Sequence, residues 1–173
     1  MHRDLNEQLI ELLPRMRRFA TGLTGAVDRG DELVQIACER LLKHHSRLKP
    51  DTRLDSWLYQ VIRNLHVDSI RAQKARDRSV ESVREITEIQ GMGVNVLDQQ
   101  LALHEVHLAM QELSEEHRSV LMLICVEGLS YKEAADVLEV PMGTVTSRIV
   151  RGRKALMDLL ADDVEKVPLG AAE

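Results

Sequence analysis

A run of hydroxyl and cationic side chains near the C-terminal end suggests the chemistry of nucleic-acid binding. Its members are Thr144, Thr146, Ser147, Arg148, Arg151, Arg153 and Lys154. No carboxylate lies among them. Arginine can bind guanine through two hydrogen bonds, whereas serine and threonine discriminate bases weakly, and all four cations can neutralise phosphates. The pattern therefore favours contact with duplex DNA.

The elements that must position this run predict a helix-turn-helix. Ser130-Tyr-Lys-Glu133 has the capping-box pattern that begins a helix, and Pro141 suits the first turn of the next helix. The second helix of such a motif enters the major groove, and Gly143 lets a phosphate approach the start of that helix. The alternative is a plain helical hairpin with a solvated basic face. DNA binding is favoured because the capping box, the turn, the glycine and the order of hydroxyls before arginines coincide.

Histidine and cysteine raise the separate possibility of a metal site. His104 and His107 have helical spacing, and His117 follows at a short distance, but no recognisable set of Cys, Asp or Glu completes a ligand group. Cys38 and Cys125 lie in different helical patterns, which favours core positions over a disulfide. We expect no metal and no cofactor. Whether these residues sense redox state or metal stays open.

The composition predicts an all-α protein with an aliphatic core. Aromatic residues make up only 2% of the 173 residues, and the chain is rich in Leu, Ala, Glu and Arg. The net charge of −5 is unevenly distributed: residues 1–76 hold 14 lysines and arginines against 10 aspartates and glutamates. A local cationic surface decides phosphate binding, because salt screens charge beyond about 10 Å. The acidic remainder can repel non-specific DNA or face a protein partner.

Helical spacing and its interruptions predict two small helical domains joined by a flexible linker. We place the first domain at 1–75, the linker at 76–98, the second domain at 99–161 and a frayed tail at 162–173. The linker segment lacks a wide apolar face and contains Gly91-Met-Gly93, so the domains are expected to move semi-independently.

Within the first domain, one helix is expected across Pro14, kinked or restarted there, and Gly22, Gly25 and Gly30 are expected to form the following turn. Asp31 and Asp55 occupy positions typical of N-caps for the next two helices. Their apolar stripes are predicted to be Leu33, Val34, Ala37, Leu41 and Leu42, then Leu54, Leu58, Val61, Ile62 and Leu65.

In the second domain, Leu103, Val106, Met110 and Leu113 are predicted to form the stripe of a helix that starts near Leu97. Ser114 is expected to cap the next helix, which buries Val120, Leu121, Leu123 and Ile124 and ends at Gly128. The last helix is expected to run to about Leu160.

Membrane insertion and secretion are not expected. The longest apolar runs are too short to cross a bilayer, and the N-terminus lacks an apolar signal core. These features predict a soluble, cytoplasmic protein.

Three stretches of the second domain resemble region 4 of bacterial sigma factors, which reads the −35 promoter element. They are Leu113-Ser-Glu-Glu-His-Arg-Ser-Val-Leu121, Glu127-Gly-Leu-Ser-Tyr-Lys-Glu-Ala-Ala135, and Val140-Pro-Met-Gly-Thr-Val-Thr-Ser-Arg-Ile149 with Arg151-Gly-Arg-Lys-Ala-Leu156. The first domain resembles sigma region 2 at Asp31-Glu-Leu-Val-Gln35 and from Ser56-Trp-Leu-Tyr59 through Arg63-Asn64 to Asp68. The resembling segments leave no room for the extra regions of housekeeping sigma factors. The chain is therefore similar to the compact extracytoplasmic-function (ECF) group.

The resemblance implies a division of tasks among the residues. Contact with the clamp helices of the polymerase β′ subunit is expected from Asp31, Glu32, Leu33 and Gln35. Recognition and melting of the −10 element are expected from Lys49, Arg53, Tyr59, Ile62, Arg63, Asn64 and Arg71. Region 4 is expected on the β flap, and an anti-sigma factor is an expected partner, with stress response an expected setting. No catalytic residue is expected, because the polymerase supplies the active site.

Two other functions remain as alternatives. A stand-alone helix-turn-helix regulator would explain residues 130–156 but not the block from Asp31 to Asp68, and core polymerase would not co-purify with it. A metal hydrolase using the histidines would carry stoichiometric zinc.

Overall fold

A computed structural model describes residues 5–49, 51–77 and 97–165 of the chain. The first group of helices is α1 (Leu5–Thr24), α2 (Val27–His44) and α3 (Leu54–Asp77), with a 3-10 turn at His45–Arg47. The second is α4 (Leu97–Glu112), α5 (Glu115–Leu121), a π-helical turn (Met122–Val126), α6 (Tyr131–Leu138) and α7 (Met142–Glu165). All regular elements of the described residues are helices, so the all-α prediction is confirmed. Most of the proposed linker, including Gly91-Met-Gly93, lies outside the described residues.

The turn between α1 and α2 differs from the sequence prediction. Only Gly25 lies in it, with a φ of +75°, whereas Gly22 and Gly30 are inside helices. A Cβ on Gly30 would come within 2.9 Å of the backbone nitrogen of Thr21, so this glycine permits close packing of α2 on α1. Pro14 lies within one continuous helix rather than at a restart.

Neither predicted aspartate cap lies at a helix boundary. Because α2 begins at Val27, Asp31 lies in its second turn, where its carboxylate accepts two hydrogen bonds from Arg17 at 2.7 and 2.5 Å. Asp55 lies inside the first turn of α3 and accepts the backbone N–H of Ser56. Burial acts to raise the pKa of Asp55, but the hydrogen bonds from Arg53 and Ser56 outweigh it and lower that pKa.

Most helix boundaries in the second group agree with the sequence prediction. The side chain of Ser114 accepts a hydrogen bond from the backbone of His117, Gly128 has a φ of +73°, and α4 begins at Leu97. The π-helical turn between α5 and Gly128 was not predicted. Helix α7 continues to Glu165, beyond the expected end near Leu160, and residues 166–173 of the tail lie outside the described residues.

Several expected core residues face solvent. Leu42, Leu103 and Val106 are exposed, and Cys125 is exposed as well, whereas Cys38 is half-buried. Leu103 and Val106 border an apolar groove of about 790 Å³ between α1 and the second group of helices. The predicted stripe is therefore buried only at Met110, near the C-terminal end of α4, and at Leu113, just after it.

The buried side chains of both groups form one continuous hydrophobic core. Phe19 and Tyr59 meet edge to face with ring centroids 4.9 Å apart in the first group, and Val120 and Leu123 are fully buried in the second. A Cβ on Gly22 would overlap the side chain of Met122, so the helices from the two groups approach closely here. The two predicted domains are thus packed against each other.

Candidate nucleic-acid interfaces

The helix-turn-helix is built by local capping chemistry. The Ser130 side chain accepts the backbone N–H of Glu133, and the Glu133 carboxylate accepts the backbone N–H of Ser130 at 2.8 Å, which completes the predicted capping box. Helix α6 ends at Leu138, and Glu139 caps it with a left-handed φ of 55° that turns the chain toward Pro141. The Pro141 carbonyl accepts N–H groups from Thr144 and Val145, so proline immediately precedes the first turn of α7.

The N-terminal half of α7 presents most of the residues predicted to contact the −35 element. Five of them are exposed: Thr146, Ser147, Arg151, Arg153 and Lys154. Buried Val145 and Ile149 hold the opposite face of the helix against the core. This arrangement leaves a row of donors on the outer face of a helix anchored from behind, as major-groove binding requires.

The other two predicted −35 residues, Thr144 and Arg148, are half-buried. Arg148 donates to Glu116 across a distance of 3.0 Å, within the second group of helices. DNA contact by Arg148 therefore requires exchange of the Glu116 carboxylate for a base or phosphate. The hydroxyl of Thr146 donates to the carbonyl of Met142 and that of Ser147 to the carbonyl of Thr144, which leaves their oxygens as acceptors.

The residues predicted to contact the −10 element do not all reach the surface. Lys49 and Arg71 are exposed, and Asn64 is half-buried, with its side-chain oxygen 3.3 Å from the Arg63 guanidinium. Tyr59 and Ile62 have no exposed surface. In this conformation neither of these two side chains can stack on a base.

Two of the predicted −10 arginines are bound to the second group of helices. Arg53 pairs with Glu133 of α6, and Arg63 donates to Glu115 of α5 at 3.2 Å. The candidate −10 surface is thus turned toward the domain that carries the candidate −35 surface.

The predicted contacts with the polymerase lie on α2. Glu32 and Gln35 are exposed, and Asp31 is partly exposed in its pair with Arg17. Leu33 is only 9% exposed and belongs to the core of the first group. The surface that α2 offers to a partner is therefore polar and acidic at these positions.

The sequence analysis did not identify Glu127, whose carboxylate accepts several hydrogen bonds across the boundary between the two groups of helices. Its side chain is fully buried and accepts hydrogen bonds from Tyr59 at 2.6 Å, from Arg18 at 2.8 and 3.0 Å, and from Arg15 at 3.3 Å. Burial and the neighbouring carboxylate raise the pKa of Tyr59 far above its ordinary value. No local pattern marks Glu127, because its partners lie 68 to 112 positions away.

The histidines do not converge on a metal-binding cluster within the described residues, where no group of three or more His, Cys, Asp or Glu side chains has that geometry. His66 is the exceptional histidine. It is buried, its Nε2 has no hydrogen-bond partner among the described residues, and burial with the nearby Arg118 lowers its pKa to about 4.

Comparison with known proteins identifies the family of the chain. The family model "Sigma-70, region 4" matches residues 103–156, and the model "Sigma2 domain of PhyR" matches residues 9–63. The ECF RNA polymerase sigma factor EcfG of Rhodopseudomonas palustris is 30% identical over 166 residues, which cover 92% of this chain and 87% of that protein. This chain belongs to the ECF sigma factors. The sigma factor SigW of Bacillus subtilis is 29% identical over 149 residues, 81% of this chain and 80% of that protein.

Solved structures of the family show the same fold. The sigma factor RpoE of Bartonella quintana, in complex with the anti-sigma factor NepR, superposes with a TM-score of 0.76 at 26% identity. That comparison covers 92% of this chain and 98% of RpoE. As in the sequence prediction, the ECF sigma factor has a region 2 bundle and a region 4 helix-turn-helix. Among its described helices, none combines the length and apolar character that a membrane crossing needs.

Proposed function

We propose that this ECF sigma factor binds core RNA polymerase and directs it to promoters, with α7 reading the −35 element and α3 acting on the −10 element. The exposed row on α7 carries the proposal, because its cations and hydroxyls stand outside the core on the second helix of a helix-turn-helix. Residues 1–75 and 99–161 are assigned to regions 2 and 4. The chain supplies binding energy and no catalytic group, and we place its action in the cytoplasm.

Run-off transcription with core polymerase over a library of genomic promoters tests this assignment. We expect transcripts from a limited set of promoters that depends on this chain. The alternative, a stand-alone regulator, predicts DNA binding without core polymerase and no chain-dependent transcripts. Absence of transcripts, together with failure to co-purify with core polymerase, would contradict the proposal.

The −35 assignment predicts different effects for two kinds of cation on α7. Arg151→Ala is expected to cost about 1–3 kcal/mol of promoter affinity if it binds a base pair through two hydrogen bonds. Lys154→Ala is expected to weaken binding to all sequences alike and to lower the salt slope by about one ion. Lys43→Ala, which removes an exposed cation of α2, is the control. Unchanged affinity in both α7 variants would mean that another surface reads the duplex.

The −10 assignment predicts that Asn64→Ala impairs strand opening rather than duplex binding. The substitution removes a base-edge donor and acceptor without a change in charge. Unpairing and unstacking a base cost a few kcal/mol, which a pre-melted bubble template supplies in advance. Permanganate footprinting should therefore show recovery of Asn64→Ala on the bubble and no recovery of Arg151→Ala. Equal behaviour of the two variants would place the melting site elsewhere.

We further propose control by an anti-sigma factor. The support is the likeness to RpoE, which was solved with the anti-sigma factor NepR. A protein encoded beside the gene for this chain, or captured with it, should block its run-off activity when added before core polymerase. Within the polymerase, region 2 is assigned to the β′ clamp helices through Asp31, Glu32 and Gln35, and region 4 to the β flap.

A further inference from the structure

The boundary between regions 2 and 4 covers the proposed −10 surface but not the proposed −35 surface. Tyr59 is fully buried there, with its hydroxyl bound to Glu127, and Arg53 and Arg63 are paired with carboxylates of region 4. On α7, by contrast, Arg151, Arg153 and Lys154 remain exposed. The packing of the two regions thus occludes the proposed −10 surface and leaves the proposed −35 surface accessible.

Glu127 is the centre of the polar contacts across this boundary. Its carboxylate accepts hydrogen bonds from three region 2 side chains, those of Arg15, Arg18 and Tyr59. The backbone carbonyl of Glu127 also accepts a hydrogen bond from Arg15 at 3.2 Å. A charged acceptor strengthens each of these hydrogen bonds relative to a neutral one.

The π-helical turn explains how a glutamate of region 4 reaches the interior of region 2. The backbone N–H of Glu127 donates to the carbonyl of Met122, five residues earlier, and Gly128 then turns the chain away. Such wide turns often occur at functional sites, because they re-aim the residues that follow. Here the wide turn lies beside α1, where Gly22 admits the Met122 side chain.

We propose that Glu127 is a latch that holds the free sigma factor in a closed form in which the −10 surface is occluded, and that this latch opens before promoter melting. In the closed form Tyr59 donates its hydroxyl to Glu127 and cannot stack on a base. Opening separates Tyr59, Arg53 and Arg63 from their region 4 partners together, and Arg53 keeps its pair with Asp55 of region 2. The proposal rests on the assignment of the −10 surface to α3 under the proposed function.

Glu127→Gln is the direct test, because it removes the charge and preserves the shape of the side chain. The matched control is Glu105→Gln, which makes the same change in net charge at an exposed position of α4. The readouts are the radius of gyration from small-angle X-ray scattering and the affinity for a fluorescein-labelled 12-nucleotide single strand of random sequence. Single-strand binding through stacking and phosphate contacts tolerates sequence, so this probe requires no knowledge of the promoter.

We expect the latch variant to have a larger radius of gyration and at least tenfold higher affinity for the single strand. Apparent affinity scales with the fraction of molecules in the competent form, so an increase in the open fraction appears directly as tighter binding. Adding Asn64→Ala to Glu127→Gln should remove most of the gain, whereas Glu105→Gln should change neither readout. Tyr59→Phe, which deletes only one hydroxyl, is the milder variant if Glu127→Gln fails to fold, and it should produce a smaller expansion.

Two results would overturn the proposal, and they differ from failure of the proposed function. An unchanged radius of gyration in both latch variants would show that Glu127 does not hold the regions together. Expansion without a gain in single-strand affinity would show that closure does not cover a DNA-binding surface. The promoter run-off experiment measures the sigma activity independently, so its failure would be recognised even if the latch opens as expected.

Discussion

Arg118 offers the sharpest test of how the helices of this protein are held in place. Its guanidinium donates five hydrogen bonds: to the carbonyls of Leu23, Met110, Gln111 and Leu113 and to the side-chain oxygen of Gln111, at 2.6 to 3.0 Å. Leu23 lies in the last turn of α1, and Met110 and Gln111 lie in the last turn of α4. One cation therefore satisfies carbonyls that helix geometry leaves without partners.

The expected cost of removing this guanidinium is large. A hydrogen bond to a charged group contributes about 1.5–3 kcal/mol, and a cation near a helix C-terminus contributes about 0.3–1 kcal/mol more. These contributions are not additive, and burial offsets part of them, since burial lowers the pKa of Arg118. We expect Arg118→Met to lower the free energy of unfolding by about 3–5 kcal/mol, because several carbonyls lose their donor and each buried polar group left unpaired costs about 1–3 kcal/mol.

Urea unfolding followed by circular dichroism measures this change. Arg118→Lys should recover part of the loss, because one ammonium reaches fewer of the five acceptors than a planar guanidinium does. Arg40→Met, at an exposed position of α2, is the control and should change stability by less than about 0.5 kcal/mol. A loss below about 1 kcal/mol for Arg118→Met would refute the argument that these carbonyls depend on the guanidinium.

Two further predictions follow from the capping box and from the buried histidine. Ser130→Ala should cost about 1 kcal/mol in thermal unfolding, because the N–H of Glu133 loses its acceptor, and Ser69→Ala, outside any cap, should cost less. The pKa of His66 is about 4 in the folded chain, below its ordinary value of 6.5. Stability from the neutral imidazole is therefore complete above pH 6.5 and is lost as the pH falls toward 4, by about 3 kcal/mol in all. His66→Leu should flatten this dependence in urea titrations; an unchanged slope would mean that other groups cause it.

The sequence predicted the termini of the second group of helices well because capping is local. Ser114, Ser130 and Glu133 bond to backbone groups within three residues, so their types and spacing determine the outcome. Asp31 shows where this reasoning fails. An aspartate at that spacing suits an N-cap, but Arg17 of the neighbouring helix binds it instead, and that contact depends on how α1 packs on α2.

The candidate −35 surface was predictable for the same reason, since one helix carries all its members and their exposure follows from the helical period. The burial of the −10 surface could not be predicted in this way. Tyr59 was expected to contact the −10 element, and nothing near it in sequence indicates that Glu127 would bind its hydroxyl. Contacts between distant segments are set by the packing of whole helices, which residue spacing does not specify.

The chemistry of the contact between the two regions is suited to reversible opening. The Arg15 and Arg18 side chains are 37% and 51% exposed even in the closed form, so both are already partly hydrated and lose little when the carboxylate leaves. Glu127 and Tyr59 regain water on opening, which compensates for the bonds between them. Each tenfold shift toward the open form requires about 1.4 kcal/mol, which a partner that binds only the open form can supply through differential affinity. The apolar contacts across the same boundary, such as Met122 against Gly22, gain nothing from water on opening and add to the free energy that the partner must supply. A buried carboxylate bound by half-exposed arginines therefore joins regions 2 and 4 specifically. It also keeps the free energy of separating them low enough for polymerase binding to supply.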